Sequence, residues 1–385
     1  MKQLFTFLLL GHFIWSLQAQ SSDNCRRPSA PYENLYAGVD IGATGIKPVV
    51  FQIEKLANGK VIFRKISNGL DADNSFDLRK DRSPQTLNCL AKRLAEFVAV
   101  FQCPLYRVPT HRIYFVLSSG FVDNFSGDPY AFEDVKSIIR QYNPGISLEQ
   151  LTASQESEYV VRAVTMDGVL HEPDINIVDI GGNTLKGGWM AGNEVKNFST
   201  ATGSSAMAKE IEKIVTDNGW QINNVNDRRR ISDYVAKTFR EKYLPQVKIN
   251  TLKNNMVVFG GGIAYMYTTW INAQDVASKT FIEFFFSDAD AEYFVQQVIN
   301  YPDNAILFSK GSGKNTIINH FGVRCYDNAM KDVYNGLKLL AGATILRELV
   351  LDFRNKKNTS QFIFNTDMMY SHLYYHIYLK SKSEP

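Results

Sequence analysis

The strongest constraint in the sequence is a motif that occurs twice. Around Asp40, and again around Asp179, a short apolar run leads into Asp-Ile-Gly, then a small or hydroxyl residue, a turn and a lysine. In Tyr36–Phe51 the run includes Val39 and Ile41; in the second copy it includes Ile175, Ile177 and Val178. Such a run reads as a buried strand whose end fixes the carboxylate. Gly42, Gly181 and Gly182 let backbone N–H groups approach an anion with no Cβ in the way. Thr44, Gly45 and Lys47 follow the first Asp, and Asn183, Thr184 and Lys186 the second, adding polar donors and positive charge. One Asp-x-Gly turn closes many ordinary hairpins. Two copies about 140 residues apart, each opening an α/β-looking stretch, imply a duplicated unit.

The chain's 385 residues suffice for two domains of ordinary size, and 45% apolar with 21% charged residues is a globular composition. A net charge of +3, with no basic run longer than Arg228-Arg229-Arg230, gives no reason to expect nucleic acid or an anionic membrane as partner. Residues 1–20 read as a secretory signal: Lys2, an apolar run Leu4–Trp15, then Ser16 to Ala19 with a small residue at the cut. The expectation is an exported chain, periplasmic or secreted, with no membrane span after cleavage. Export permits disulfides among Cys25, Cys89, Cys103 and Cys325, in three pairings. Cys89 and Cys103 flank a predicted helix that holds them roughly 20 Å apart, which disfavours a bridge. With no C-x-x-C or Cys/His cluster, zinc is not suggested.

Along the chain, Leu35–Ile53 and Val61–Ile66 read as a strand, the first Gly turn and a returning hairpin. Ser83-Pro84 opens a helix with Leu87, Leu90, Leu94, Phe97 and Phe101 on one face. Arg112–Leu117 is a buried strand, and Phe132–Tyr142 a helix. In Leu148–Val164, Ser154 is the expected N-cap, with Glu156 in the first turn. Such a Glu either complements the helix dipole or does chemistry. Met256–Phe259 feeds Gly260-Gly261-Gly262, where the backbone touches a ligand or packs closely. Gly311 to Lys314 resembles a P-loop only superficially, since Phe308 stands where the first Gly is required. Phe362, Phe364, Tyr370, Tyr374, Tyr375 and Tyr378 mark a C-terminal segment that is either a packed arm or a tail.

In this order the parts resemble the exopolyphosphatase/guanosine pentaphosphate phosphatase family, a branch of the actin-like, sugar-kinase-like ATPase superfamily. Asp40-Ile-Gly-Ala-Thr-Gly is similar to its first phosphate loop and Asp179-Ile-Gly-Gly-Asn-Thr to its second. Thr152-Ala-Ser-Gln-Glu156 resembles the segment that carries its general base. Phe259-Gly-Gly-Gly-Ile and Leu340-Ala-Gly-Ala-Thr-Ile-Leu resemble its late Gly turn and terminal helix. The resemblance implies an α/β fold of two similar actin-like (ribonuclease H-like) domains, with mixed sheets flanked by helices and a central interdomain cleft. It divides the chain into a signal (1–20), domain I (21–168), domain II (169–353) and a C-terminal aromatic-rich extension (354–385). It further implies hydrolysis of a phosphoanhydride of polyphosphate or a nucleotide. Glu156 would be the base, Mg2+ would sit near Asp40 and Asp179, and the glycine turns with Thr44, Lys47, Asn183 and Thr184 would grip phosphate.

Three positions depart from the family pattern: Lys186 replaces a Glu, Thr44 replaces an Asn, and Ser119-Gly-Phe-Val lacks an expected Arg. The alternatives are therefore a non-catalytic phosphate- or nucleotide-binding relative, or an apyrase-like nucleoside di- or triphosphatase. A homodimer stays open.

Overall fold

The computed structural model describes residues 34–43, 45–57, 59–66, 78, 81–123, 125, 127–166, 175–248, 256–264, 267, 283–300, 336–357 and 361–383. The expected signal, Thr44, Cys25, Cys325 and residues 311–314 lie outside them. Cys89 and Cys103 are both free. No described helix is long and apolar enough to cross a membrane.

In the first half, β1 (Leu35–Gly42), β2 (Gly45–Lys55) and β3 (Val61–Lys65) form an antiparallel meander. Helix α1 (Pro84–Phe101) starts where the sequence places it, the Ser83 hydroxyl accepting from the Thr86 N–H. Strand β4 (Ile113–Leu117) returns parallel to β1. Helices α2 (Ser119–Asp123) and α3 (Pro129–Tyr142) follow. Strand β5 (Ser147–Gln150) then pairs with β4, and α4 (Ala153–Met166) leaves the sheet. The N-cap of α4 is Thr152, two residues before the expected Ser154. Thr152 Oγ1 accepts from the Gln155 N–H while Gln155 Oε1 accepts from the Thr152 N–H, a reciprocal capping box.

The second half begins with a matching meander, β6 (Asn176–Ile180), β7 (Leu185–Ala191) and β8 (Glu194–Thr200). Helices α5 (Ser204–Asp217) and α6 (Val225–Thr238) lead to β9 (Met256–Gly260), parallel to β6. There follow β10 (Glu283–Phe286), α7 (Asp288–Asn300), α8 (Gly336–Lys357), β11 (Gln361–Asn365) and α9 (Ser371–Ser381). The sheets run β3-β2-β1-β4-β5 and β10-β11-β9-β6-β7-β8. Read from β8 inward, the second sheet repeats the first, with β10 added at its edge. The architecture is two mixed sheets, each flanked by helices.

This repeat corrects the reading of residues 354–385 as an extension. Strand β11 lies inside the second sheet between β10 and β9, the place β5 holds in the first. The segment has no polar alternation because it is buried on both sides. Phe362 and Phe364 join the outer core of that sheet, and Ile363 joins the inner one.

The last helix of each unit packs on the other unit's sheet. Val160, Val161 and Val164 of α4 meet Ile177 and Val258 of the second sheet. Ser157 Oγ ties α4 to that sheet, lying 2.9 Å from the Gly187 carbonyl and 3.1 Å from that of Phe198. Leu373, Tyr374 and Ile377 of α9 meet Val49, Phe51 and Val116 of the first. Gly38 permits that approach, since a Cβ there would lie 2.8 Å from Leu373 and 2.9 Å from Ile377. Strand alternation then sorts the faces. Ala37, Val39 and Ile41 point to the outer core under α1 and α3, while Gly38 and Asp40 face the crossing helices.

On α9, His376 is buried, and burial pushes its imidazole down to about 4, opposed by Glu149 and reinforced by Lys380 and His372. The unfolded chain takes up this proton near pH 6.5. Between pH 6.5 and about 4 the unfolded state therefore binds more protons, so stability falls as the solution is acidified through that window. The full swing is roughly 3 kcal/mol. Urea unfolding across this range should show it, and His376→Phe should flatten it.

Candidate active site

The inner faces of the two sheets bring the duplicated motifs together. Asp40 and Lys47 are directly opposite in the β1–β2 ladder, and Asp179 and Lys186 are directly opposite in β6–β7. The same seven-residue spacing is thus the same cross-strand pair built twice. Opposite charges so placed attract, and a one-residue slip would send either lysine to the apolar face.

Each pair receives a third side chain from the first turn of the crossing helix. On the second sheet it is Glu156 of α4: Lys186 Nζ lies 3.0 Å from Glu156 Oε2 and 3.4 Å from Asp179 Oδ2. On the first sheet it is His372 of α9: Lys47 Nζ lies 2.7 Å from Asp40 Oδ2, and His372 Nε2 lies 3.5 Å from Asp40 Oδ1. The two sets meet where His372 Nε2 comes within 3.9 Å of Glu156 Oε1. Ser119 Oγ donates to Glu156 Oε2 from the start of α2. The chain of contacts therefore runs Lys47–Asp40–His372–Glu156–Lys186–Asp179.

Apart from Lys47, whose side chain is 33% exposed, the cluster is buried; Asp40 and Glu156 are 1% and 2% exposed. Burial alone would raise both carboxyl pKa values, yet each is held below its ordinary value. Lys47 and then His372 do this for Asp40, and Lys186 and then His372 for Glu156. Burial works against both ammonium groups, but Asp40 outweighs it for Lys47, and Glu156 with Asp179 for Lys186, so both are raised. Lys47 also feels Lys186 and Asp179 of the other repeat, so the two motifs form one electrostatic site.

The glycine turns divide into different roles. Gly42 and Gly45 close the first turn as Cα partners. In the second, the Gly181 N–H is already bonded to the Thr184 carbonyl at 3.0 Å, so it does not face a ligand. Gly181 and Gly182 instead offer carbonyls to the Ser204, Ser205 and Ala206 N–H groups that open α5. Gly182 is exposed, and Asn183 and Thr184 are half-buried beside it. Asn183 Nδ2 lies 3.6 Å from where a Cβ on Gly120 would be, so the turns of the two halves adjoin. Gly260 is a packing glycine: it is buried, and a Cβ there would lie 2.2 Å from Met368. Gly261, at φ +87°, leaves room for the site itself, since its Cβ would lie 2.4 Å from the Ile180 carbonyl and 2.5 Å from Asp179 Oδ1.

The expected Mg2+ near Asp40 and Asp179 does not fit this donor set. Lysine ammonium groups hold an oxygen of each, and Lys186 also holds Glu156. Among the described residues no group of three or more His, Cys, Asp or Glu is arranged to hold a metal ion. Two members of the site escaped the sequence reading, Ser119 and His372. In the sequence Ser119 stands out only for lacking an Arg beside it. The signal for His372 is its place two residues into the second repeat's last helix, which becomes visible only once that repeat is recognised.

No family model matches the chain, and none of the curated proteins does. Solved structures do match. A member of the Ppx/GppA protein family from Aquifex aeolicus superposes with a TM-score of 0.58 at 15% identity, over 91% of this chain and 99% of that one. An exopolyphosphatase from Cytophaga hutchinsonii gives 0.57 at 13% identity, over 89% and 97%. An exopolyphosphatase-like protein gives 0.58 at 14%, over 90% and 98%. This chain has the Ppx/GppA fold. At such identities the likeness establishes the architecture, and the chemistry rests on the residues above.

Gly261 offers a direct check of the geometry. Gly261→Ala forces a Cβ onto Asp179 in a left-handed backbone, so stability should fall by about 1–3 kcal/mol. Denaturant unfolding measures the loss, and an unchanged midpoint would contradict the close approach.

Proposed function

We propose that the chain binds the terminal phosphate of a polyphosphate or nucleotide where the two Asp–Lys motifs meet, and hydrolyses its phosphoanhydride bond with Glu156 as general base. The supporting observation is the convergence of Asp40, Lys47, Glu156, Asp179 and Lys186 from both repeats into one buried cluster. The fold shared with exopolyphosphatases agrees with it.

In the free chain Glu156 is a weak base, because Lys186 and Ser119 hold its carboxylate. A phosphate entering beside Lys47 and Lys186 competes for both ammonium groups. As Lys186 turns to the phosphate oxygens, Glu156 loses its main stabilising charge while staying buried, and its proton affinity rises. Glu156 then takes a proton from water as the water oxygen bonds to the terminal phosphorus. The bond from phosphorus to the bridging oxygen breaks, and the shortened chain or nucleotide departs with that oxygen's electrons. The two lysines meet the charge on the transferred phosphoryl.

The pairing of Lys186 with Glu156 also favours a second reading, in which the chain binds phosphate or nucleotide without turnover. Phosphate release from polyphosphate, ATP and GTP by the purified protein separates the two. Hydrolysis supports the first, and binding without release supports the second. If Glu156 is the base, Glu156→Gln should lower kcat by about 10²–10⁴-fold and leave phosphate binding in place. Unchanged turnover in that variant removes Glu156 from the chemistry. The same reading takes the chain to be exported after cleavage near Ala19. N-terminal sequencing of the secreted protein should start close to residue 20, and a start at Met1 would refute it.

A further inference from the structure

Three carboxylates from separate elements are buried in one cluster: Asp40 on β1, Glu156 on α4 and Asp179 on β6. Buried carboxylates so close need a cation, and a hard divalent ion with oxygen ligands is the usual supply. Here the cation is covalently part of the chain. Lys186 is itself buried, and two acidic oxygens from different repeats fall within 3.4 Å of its Nζ. It reaches them from the ladder position opposite Asp179, which register fixes, and Gly261 clears the far side of the Asp179 carboxylate.

We infer that Lys186 is the resident cation of this site, supplying to Glu156 and Asp179 the positive charge that a divalent metal would otherwise bring, so that the free protein holds no metal of its own. For its consequence, that phosphate is taken up without a protein-bound metal, the inference rests on the phosphate-site reading; its test does not. The lysine also differs from an ion in a useful way. It cannot leave, but its stem can swing, so the same charge that silences Glu156 in the free protein is delivered to an arriving phosphate. Lys47 gives the first repeat a matching, less buried charge on Asp40.

Mn2+ is the probe, read by electron paramagnetic resonance on the full chain with no phosphate present. The wild type should show no saturable Mn2+ site up to millimolar concentration. Lys186→Ala removes the ammonium and leaves space for an ion with its waters, so Mn2+ affinity should rise by about ten-fold or more. The gain should vanish in Lys186→Ala combined with Asp179→Asn. Should Lys186→Ala fold poorly, its thermal midpoint with and without Mn2+ serves instead, and a midpoint raised by Mn2+ in the variant alone supports the inference. Saturable Mn2+ binding by the wild type that Asp179→Asn abolishes would overturn it, as would a Lys186→Ala variant whose Mn2+ affinity and midpoint are unchanged. A wild type that neither binds nor cleaves phosphorylated compounds would end the functional reading and leave the metal result standing.

Discussion

Lys186 and its two acidic partners are the contact on which the rest of the molecule depends. A buried ammonium or carboxylate is costly unless its partner is held in place, and losing one member of such a pair costs about 3–5 kcal/mol. Holding Lys186 requires the β6–β7 register, because Asp179 must be its cross-strand neighbour. Holding Glu156 requires α4 to stand on the second sheet although it belongs to the first repeat, which Ser157 and the valines of α4 secure. The ion pair therefore closes a loop of constraints that passes through both halves. Pulling the halves apart would strand charge on each side.

The exchange of last helices explains how a duplicated unit became an asymmetric site. Each sheet presents Asp and Lys in the same geometry, and each receives the first turn of the other unit's helix. Had the repeats stayed identical, the two helices would deliver the same group. Instead α4 brings Glu156 and α9 brings His372. The second sheet thus carries two acids around one lysine, while the first carries one acid between a lysine and an imidazole. That difference places the acid that a crossing helix brings to the cluster on one side, which under the proposed function suits a reaction needing a single proton acceptor beside a phosphate.

The sequence disclosed what is local and repeated. Asp40 and Asp179 were legible because strand, carboxylate, glycine and lysine recur at fixed spacing, and that spacing is the hairpin ladder itself. Ser83-Pro84 was legible because a cap acts over three residues. What stayed hidden depends on distant partners. Nothing near Phe362 says that its strand belongs between β9 and β10, because an apolar run buried on both faces has no alternation to read. His372 gains meaning only from Asp40, more than three hundred residues earlier. The glycine run at 260–262 shows the limit most clearly. Packing under Met368 and clearance for Asp179 both demand a missing Cβ, and the sequence looks the same for either.

Under the proposed function, the electrostatics of the free site also limit what it can bind. Every lysine drawn to a phosphate leaves a carboxylate uncovered in a medium that screens poorly. The ligand must therefore carry enough negative charge, close enough to both Lys47 and Lys186, to replace Asp40 on one side and Glu156 with Asp179 on the other. A group with one charged oxygen could satisfy one lysine and would leave the other repeat unchanged. A terminal phosphoryl, with three oxygens on one centre, carries enough charge to answer lysines from both sheets. On that proposal the duplication has a physical rationale: one Asp–Lys hairpin can hold an anion, but two are needed to respond to a terminal phosphate as a unit.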